Sequence, residues 1–338
     1  SEAEDIKIQN AILHILDNSS NILVLSDKEL EIDSDISDFL EKHIEKLLND
    51  SNMKNARFTE NTNAIRDICL HLADDLSFFM QASVETAQRL YDIMLKNVDI
   101  APADLICCLF SHQGQLYYGI LKLNYKTGFT HFVQQEDEGN VNTIIRYKTI
   151  LPSESQKIDE CAFICLDGLN IKLLEKAYEI NGEKEFYLSK LFLSCYTDLS
   201  DNEKLKIIDK VTKKISKKFF DEDFDKIAKM KKAVSESLEE TSTIEVNAMA
   251  DEIFDDNPEI KNEYIEEMQK AGLSEKTISV PEKLAEKKYK TMKIKTDTGI
   301  EINFPPSYYN DNDKVEFINN SDGTISILIK NVSKITNK

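Results

Sequence analysis

The chain has 338 residues, 41% hydrophobic and 30% charged, with 42 Lys and Arg against 61 Asp and Glu for a formal net charge of -19. That length gives room for two modest domains or one large one with an appendage, and the recurring apolar segments exclude disordered and fibrous classes. No apolar run approaches the roughly 18 to 20 residues that cross a bilayer, and residues 1–30 lack a basic-then-apolar leader pattern, so a soluble protein retained in the cytoplasm, with no membrane partner, is expected.

In chain order, "IKIQNAILHIL" and "NILVLSD" flank the turn signal "DNSS" and predict two strands in a hairpin-like connection. "SDISDFLEKHIEKLLND" spaces Ile36, Phe39, Leu40, Ile44 and Leu47 as one helical face, with Asp and Ser at its start to cap it. Residues 62–97 predict two further helices, the first burying Ile65, Ile68, Cys69 and Leu72, the second Ala87, Leu90, Tyr91 and Met94. Strand patterns then crowd residues 104–167: "DLICCLF", "QLYYGILKL", "THFVQ", "NTIIRYKTIL" and "ECAFICLD", divided by turns at "SHQG" and "NYKTG". "EFYLSKLFLSCY" alternates poorly and reads as a buried strand or a short helix. Residues 1–200 therefore predict an α+β domain, a largely antiparallel sheet with packed helices. Residues 201–280 read as a helical segment opening on a Ser200 and Glu203 capping box. Residues 281–338 read as a small β unit of four strands, "TMKIKTD", "GIEINF", "KVEFIN" and "TISILIK".

Charge is unevenly spread along this order. Residues 204–232 hold eleven lysines against five acids, residues 283–295 six lysines against one, and the intervening 235–280 three lysines against thirteen acids. On a helix, Ile208, Val211, Ile215 and Phe219 of the first island form an apolar stripe. Lys206, Lys210, Lys213, Lys214 and Lys217 fall opposite, where each can displace a counterion from a phosphate backbone. Lys287, Lys288, Lys290 and Lys293 make the second island, with Tyr289 among them as a candidate base-stacking ring or a packing residue. A lysine face also serves simply to keep a surface helix solvated. Against that plainer reading, acids do not interleave at ion-pairing spacing, and two islands recur.

Other chemistry lacks a signature. The chain contains no GxGxxG, no GxxxxGK[ST] and no GxSxG, and its five histidines are scattered with none paired at i+3 or i+4. The six cysteines read as reduced core residues; Cys161 and Cys165 have no zinc-ligand partners at usable spacing. No cofactor, metal or catalytic residue is assigned. Abundant carboxylates leave a metal-dependent nuclease as the least supported alternative, and "QQEDEGN" reads as a solvated loop.

The opening "IKIQNAILHILD" with "LVLSDKELEID", the block "APADLICCLFSHQGQLYYGILKL" and the closing "TGIEINFPPSYYNDNDKVEFINNSDGTISILIKNV" together resemble the bacterial nucleoid-associated protein family of the YejK or NdpA type. The order of these blocks covers nearly the whole chain. The resemblance implies a non-enzymatic cytoplasmic protein of the nucleoid that binds double-stranded DNA. It further implies contact with chromosome-handling proteins such as type II topoisomerases. One departure is that residues 191–202 carry no basic residue where the family has a short Lys/Gly/Arg segment. The phosphate contacts are therefore assigned to the lysine helix by charge geometry. The competing expectation is an acidic adaptor in which segment 235–280 docks a basic partner or shields the lysines. An edge of the β-rich region leaves room for a homodimer.

Overall fold

The computed structural model describes residues 5–60, 63–221, 224–255 and 257–338, so residue 62 at the head of the expected helical stretch, and Glu222, Asp223 and Asp256 of the charge segments, lie outside the described residues. The fold is α+β, and the chain divides into two compact units, Ser1–Asp198 and Leu199–Lys338.

The first unit runs β1 (Lys7–Asp17), β2 (Ile22–Val24), α1 (Ser34–Leu48), β3 (Lys54–Phe58), α2 (Ala64–Asp74), α3 (Phe79–Lys96), β4 (Ala103–His112), β5 (Gln115–Asn124), β6 (Lys126–Glu136) and β7 (Gly139–Ile150). It continues with β8 (Glu160–Cys165), β9 (Ile171–Leu174), β10 (Tyr178–Ile180), β11 (Glu183–Glu185), a π-helical turn over Leu188–Leu193, and β12 (Cys195–Thr197). Eight strands form one antiparallel sheet in the order β12-β3-β9-β8-β5-β4-β1-β2. Successive strand residues point to opposite faces. Ile12, Leu105, Cys107, Tyr118 and Ile164 therefore pack with Ile65, Leu72, Leu90 and Met94 of α2 and α3. Ala11, Ile106, Cys108, Phe110 and Phe163 pack instead with Leu40, Ile44 and Leu47 of α1. Helices on both faces explain why "LICCLF" reads as one continuous apolar run, and why the adjacent Cys107 and Cys108 belong to different cores. Burial pushes the Cys107 thiol up to about 12, as it does Cys69, so neither ionises near neutrality.

Local chemistry sets the helix starts. Asp33 accepts the Ile36 N–H at 2.9 Å to cap α1, and Asn63 accepts the Ile65 N–H at 2.7 Å to cap α2. The β4–β5 turn uses Gly114 at φ +74°, a backbone region closed to most side chains. "THFVQ" and "NTIIRYKTIL", expected among the sheet strands, form instead a two-stranded ribbon, β6 pairing among the described residues with β7 alone. Alternation marks a strand without saying which neighbour it pairs with. The ambiguous "EFYLSKLFLSCY" resolves into the π-helical turn followed by β12.

The second unit runs α4 (Asp201–Phe220), α5 (Phe224–Thr241), β13 (Thr243–Glu245), α6 (Val246–Phe254), α7 (Pro258–Lys270), β14 (Thr277–Ser279) and α8 (Glu282–Tyr289), then β15 (Met292–Lys295), β16 (Glu301–Phe304), β17 (Val315–Asn319) and β18 (Ile325–Ile329). The helices share a core of Leu205, Ile208, Ile215, Val234, Ile253 and Tyr264. The terminal strands form two hairpins, β15–β16 and β17–β18. They pack on Ala228 of α5 through Met292, Phe304, Tyr309 and Val315, where the Tyr309 hydroxyl donates to Asp225 at 2.7 Å.

Candidate nucleic-acid interface

The lysine helix is fixed at its start as its sequence dictates. Ser200 Oγ accepts the Glu203 N–H at 3.1 Å while the Glu203 carboxylate accepts the Ser200 N–H at 3.4 Å, completing the expected capping box on α4. The buried stripe is Leu205, Ile208, Val211, Thr212 and Ile215; Phe219, expected within it, is 39% exposed in the last turn instead. Thr212 Oγ1 donates back to the Ile208 carbonyl at 2.7 Å and lies 2.6 Å from the Tyr264 hydroxyl, tying α4 to α7.

Burying that stripe sets the lysines in two rows. At about 100° per residue, Lys206, Lys210, Lys213 and Lys217 lie within an arc of roughly 60° opposite the stripe. All four are exposed. Lys214, expected in the same group, sits on the flank toward α7, where its ammonium pairs with Glu267 at 2.6 Å. On the same flank Lys218 pairs with Glu263, and Lys204 with Glu275 at 2.7 Å. Part of the acidic segment 235–280 is therefore spent on one side of the basic helix. No carboxylate among the described residues forms an ion pair with Lys206, Lys210 or Lys213.

Asp209 organises the rest. It lies on α4 one turn from both Lys206 and Lys213, and Lys231 of α5 and Lys288 of α8 also act on it. Burial pushes its carboxyl above the usual range, with Lys288, Lys231 and Lys213 opposing. Asp209 Oδ1 and the neighbouring Tyr289 hydroxyl are both buried, and neither completes a hydrogen bond of good geometry. Tyr289 is only 4% exposed, so of its two expected roles packing is the one the structure shows. Lys288 is half-buried; burial lowers its pKa, Asp209 opposes, and the nearby charges of Lys206 and Lys287 lower it further. Two islands about fifty residues apart in sequence are thus brought together, and their like charges crowd one half-buried carboxylate. Lys290 lines a groove with Glu239, Glu282 and Glu286. Lys293 lies on β15 across from Asn303.

Sequence reasoning missed two members of this cluster, Asp209 and Lys231. The expectation that acids do not interleave on this helix fails at Asp209: Lys206 and Lys213 stand at i-3 and i+4 from it, which puts an acid inside the lysine face.

A second polar cluster, in the first unit, has the opposite character. Glu160 is fully buried, and it accepts from Lys122 Nζ at 2.9 Å, Asn124 Nδ2 at 2.9 Å, the Tyr178 hydroxyl at 2.7 Å and the Tyr187 hydroxyl at 2.5 Å. Burial pushes Glu160 up, but Lys122 and the three hydrogen-bond donors outweigh it and hold the carboxyl below its usual range. Every strong donor there is matched, so the cluster ties β5 and β8 to β10 and the π-helical turn. Among the described residues no group of three or more His, Cys, Asp or Glu side chains is placed to hold a metal ion, and no helix is long and apolar enough to cross a membrane.

A family model described as nucleoid-associated protein YejK matches residues 12–336. The chain belongs to that family, as the order of its sequence blocks implied. A search of curated proteins found no match.

Proposed function

We propose that the protein binds double-stranded DNA through backbone phosphates, as a non-enzymatic component of the nucleoid in the cytoplasm. The contact surface is the α4 row Lys206, Lys210, Lys213 and Lys217, extended by Lys231, Lys287 and Lys288. The observation that carries this reading is the crowding around Asp209: Lys206, Lys287 and Lys288 are held where their charges repel, with one carboxylate among them. A folded domain stabilised for its own sake would interleave acids there, as α7 does for Lys214 and Lys218. A polyanion relieves the repulsion. Family membership supports the nucleoid as the setting. Lysine presents a point charge and none of the paired donors and acceptors by which Arg, Asn or Gln read base edges, so binding is indifferent to sequence.

The test is fluorescence anisotropy with a random-sequence duplex at low salt, comparing the wild type with Lys206→Glu/Lys210→Glu/Lys213→Glu/Lys217→Glu. Affinity is expected to fall on the order of 100-fold, with the circular dichroism unchanged. Equal affinity of the two proteins would transfer the reading to the acidic adaptor, whose partners would be basic segments of chromosome-handling proteins such as type II topoisomerases.

A further inference from the structure

The β6–β7 ribbon poses a separate question. It pairs eleven residues against twelve outside the main sheet, and isolated two-stranded hairpins are marginally stable in water. Yet it displays large apolar side chains. Ile144 is 75% exposed, Phe129 66% and Val133 50%. The register Phe129↔Arg146, His131↔Ile144 and Val133↔Asn142 puts these three on one face of the ribbon. A patch of this kind on an otherwise charged protein marks a surface that another molecule covers.

The charge along the ribbon selects the occupant. Glu136, Asp137 and Glu138 cluster at the tip, whereas Lys126, Arg146 and Lys148 lie toward the root, with Arg146 stacked 5.4 Å from the Phe129 ring centroid. An acidic tip repels DNA. It is complementary, however, to the root of an identical ribbon laid against it in the opposite direction. We propose that the protein forms a two-fold dimer in which the Phe129, Val133 and Ile144 faces of two β6–β7 ribbons pack antiparallel, each acidic tip against the basic root of the other copy. This goes beyond the DNA-binding reading and does not depend on it.

Two consequences follow from the geometry. An antiparallel two-fold arrangement superimposes the ribbon centres, and the His131↔Ile144 pair is central, so Ile144 approaches Ile144 of the second copy. A face roughly 36 Å long and roughly 10 Å wide is also small beside the ~800 Å² per partner of a standard interface, so the dimer is weak and concentration-dependent.

Sedimentation velocity from about 1 to about 100 μM tests the proposal. The wild type is expected to pass from monomer to dimer in that range, and Val133→Asp/Ile144→Asp to remain monomeric with unchanged circular dichroism. Reversing the tip (Glu136→Lys/Asp137→Lys/Glu138→Lys) is expected to weaken the dimer at least tenfold, and adding Arg146→Glu/Lys148→Glu to the same chain to restore it. Ile144→Cys, oxidised with diamide, is expected to give a disulfide-linked dimer that the wild type does not form. The chain's own thiols are buried apart from the half-buried Cys195. A wild type monomeric throughout, a dimer that survives Val133→Asp/Ile144→Asp, or no crosslink at position 144 would overturn the proposal. Duplex binding by the monomeric ribbon variant is read separately, so failure of the dimer and failure of DNA binding are distinguishable.

Discussion

Lysine meets carboxylate in both units of the protein, with opposite results. Around Glu160 one lysine, one asparagine and two tyrosines match the acceptor capacity of one enclosed carboxylate. Around Asp209 several lysines share a carboxylate whose Oδ1 completes no hydrogen bond of good geometry among the described residues, and the excess charge faces solvent. The same residue types therefore make a structural clamp where donors and acceptors balance in the interior, and a ligand surface where cations outnumber anions at the boundary. What distinguishes them is stoichiometry and burial, and neither can be read from residue identity.

The largest expected effect comes from unbalancing the clamp. Glu160→Gln leaves Lys122 buried without its counter-ion and is expected to cost about 3–5 kcal/mol in urea unfolding, while Lys122→Met/Glu160→Leu recovers much of that loss. A single variant that loses under about 1 kcal/mol would show that the clamp is not what holds β8 to β10.

Protonation breaks a second matched site in the same unit. His14 Nδ1 accepts the Ser26 N–H at 3.0 Å, so its Nε2–H donates to Ser83 Oγ at 2.9 Å and the ring is neutral. Burial lowers the pKa of His14 from its ordinary value of 6.5, and burial likewise lowers that of His43. Because the folded values lie below the unfolded ones, the unfolded chain binds more protons, and this stability is full above about pH 6.5 and lost as pH falls toward the folded pKa. Each histidine adds at most about 1.4 kcal/mol of slope per pH unit in that window. Thermal melts of wild type and His14→Gln between pH 7.5 and pH 5 are expected to converge on acidification; parallel curves would contradict the assignment.

At the boundary the expected effects are smaller and differ in kind. Asp209→Asn removes the one carboxylate among the crowded lysines, and is expected to tighten duplex binding by about threefold to tenfold at low salt, an advantage lost as salt screens it. Weaker binding would mean that Asp209 positions the lysines more than it offsets them. Smallest is Lys214→Ala, which removes an exposed ion pair with Glu267. Affinity and melting temperature are expected to stay nearly constant, whereas a marked loss of affinity would return Lys214 to the contact surface.

Much of the scaffold was legible because burial imposes a period. Ile65, Ile68, Cys69 and Leu72 on α2, and Ala87, Leu90, Tyr91 and Met94 on α3, are all buried as their spacing required. β3 escaped notice because "KNARF" carries little apolar signal and holds its place through pairing with β9 and β12. The β6–β7 ribbon was legible as strands, but not as a separate pair. For the candidate interface, the row Lys206, Lys210, Lys213 and Lys217 followed from helical geometry, whereas the pairing of Lys214 and the meeting of Lys206 with Lys288 depend on how α7 and α8 pack on α4. Such contacts belong to tertiary structure, which local periodicity does not encode.

The central claim is that the two basic islands form one phosphate-binding surface. The direct measurement is the dependence of duplex affinity on salt for the wild type, for Lys287→Glu/Lys288→Glu, and for the four-lysine α4 variant. If about six phosphates are engaged, the wild-type log–log slope is near -5; the α8 variant is expected to lower its magnitude by about 2 and the α4 variant by about 4. A slope unchanged by Lys287→Glu/Lys288→Glu would show that the second island does not meet DNA, and a wild-type slope near zero would contradict phosphate binding altogether.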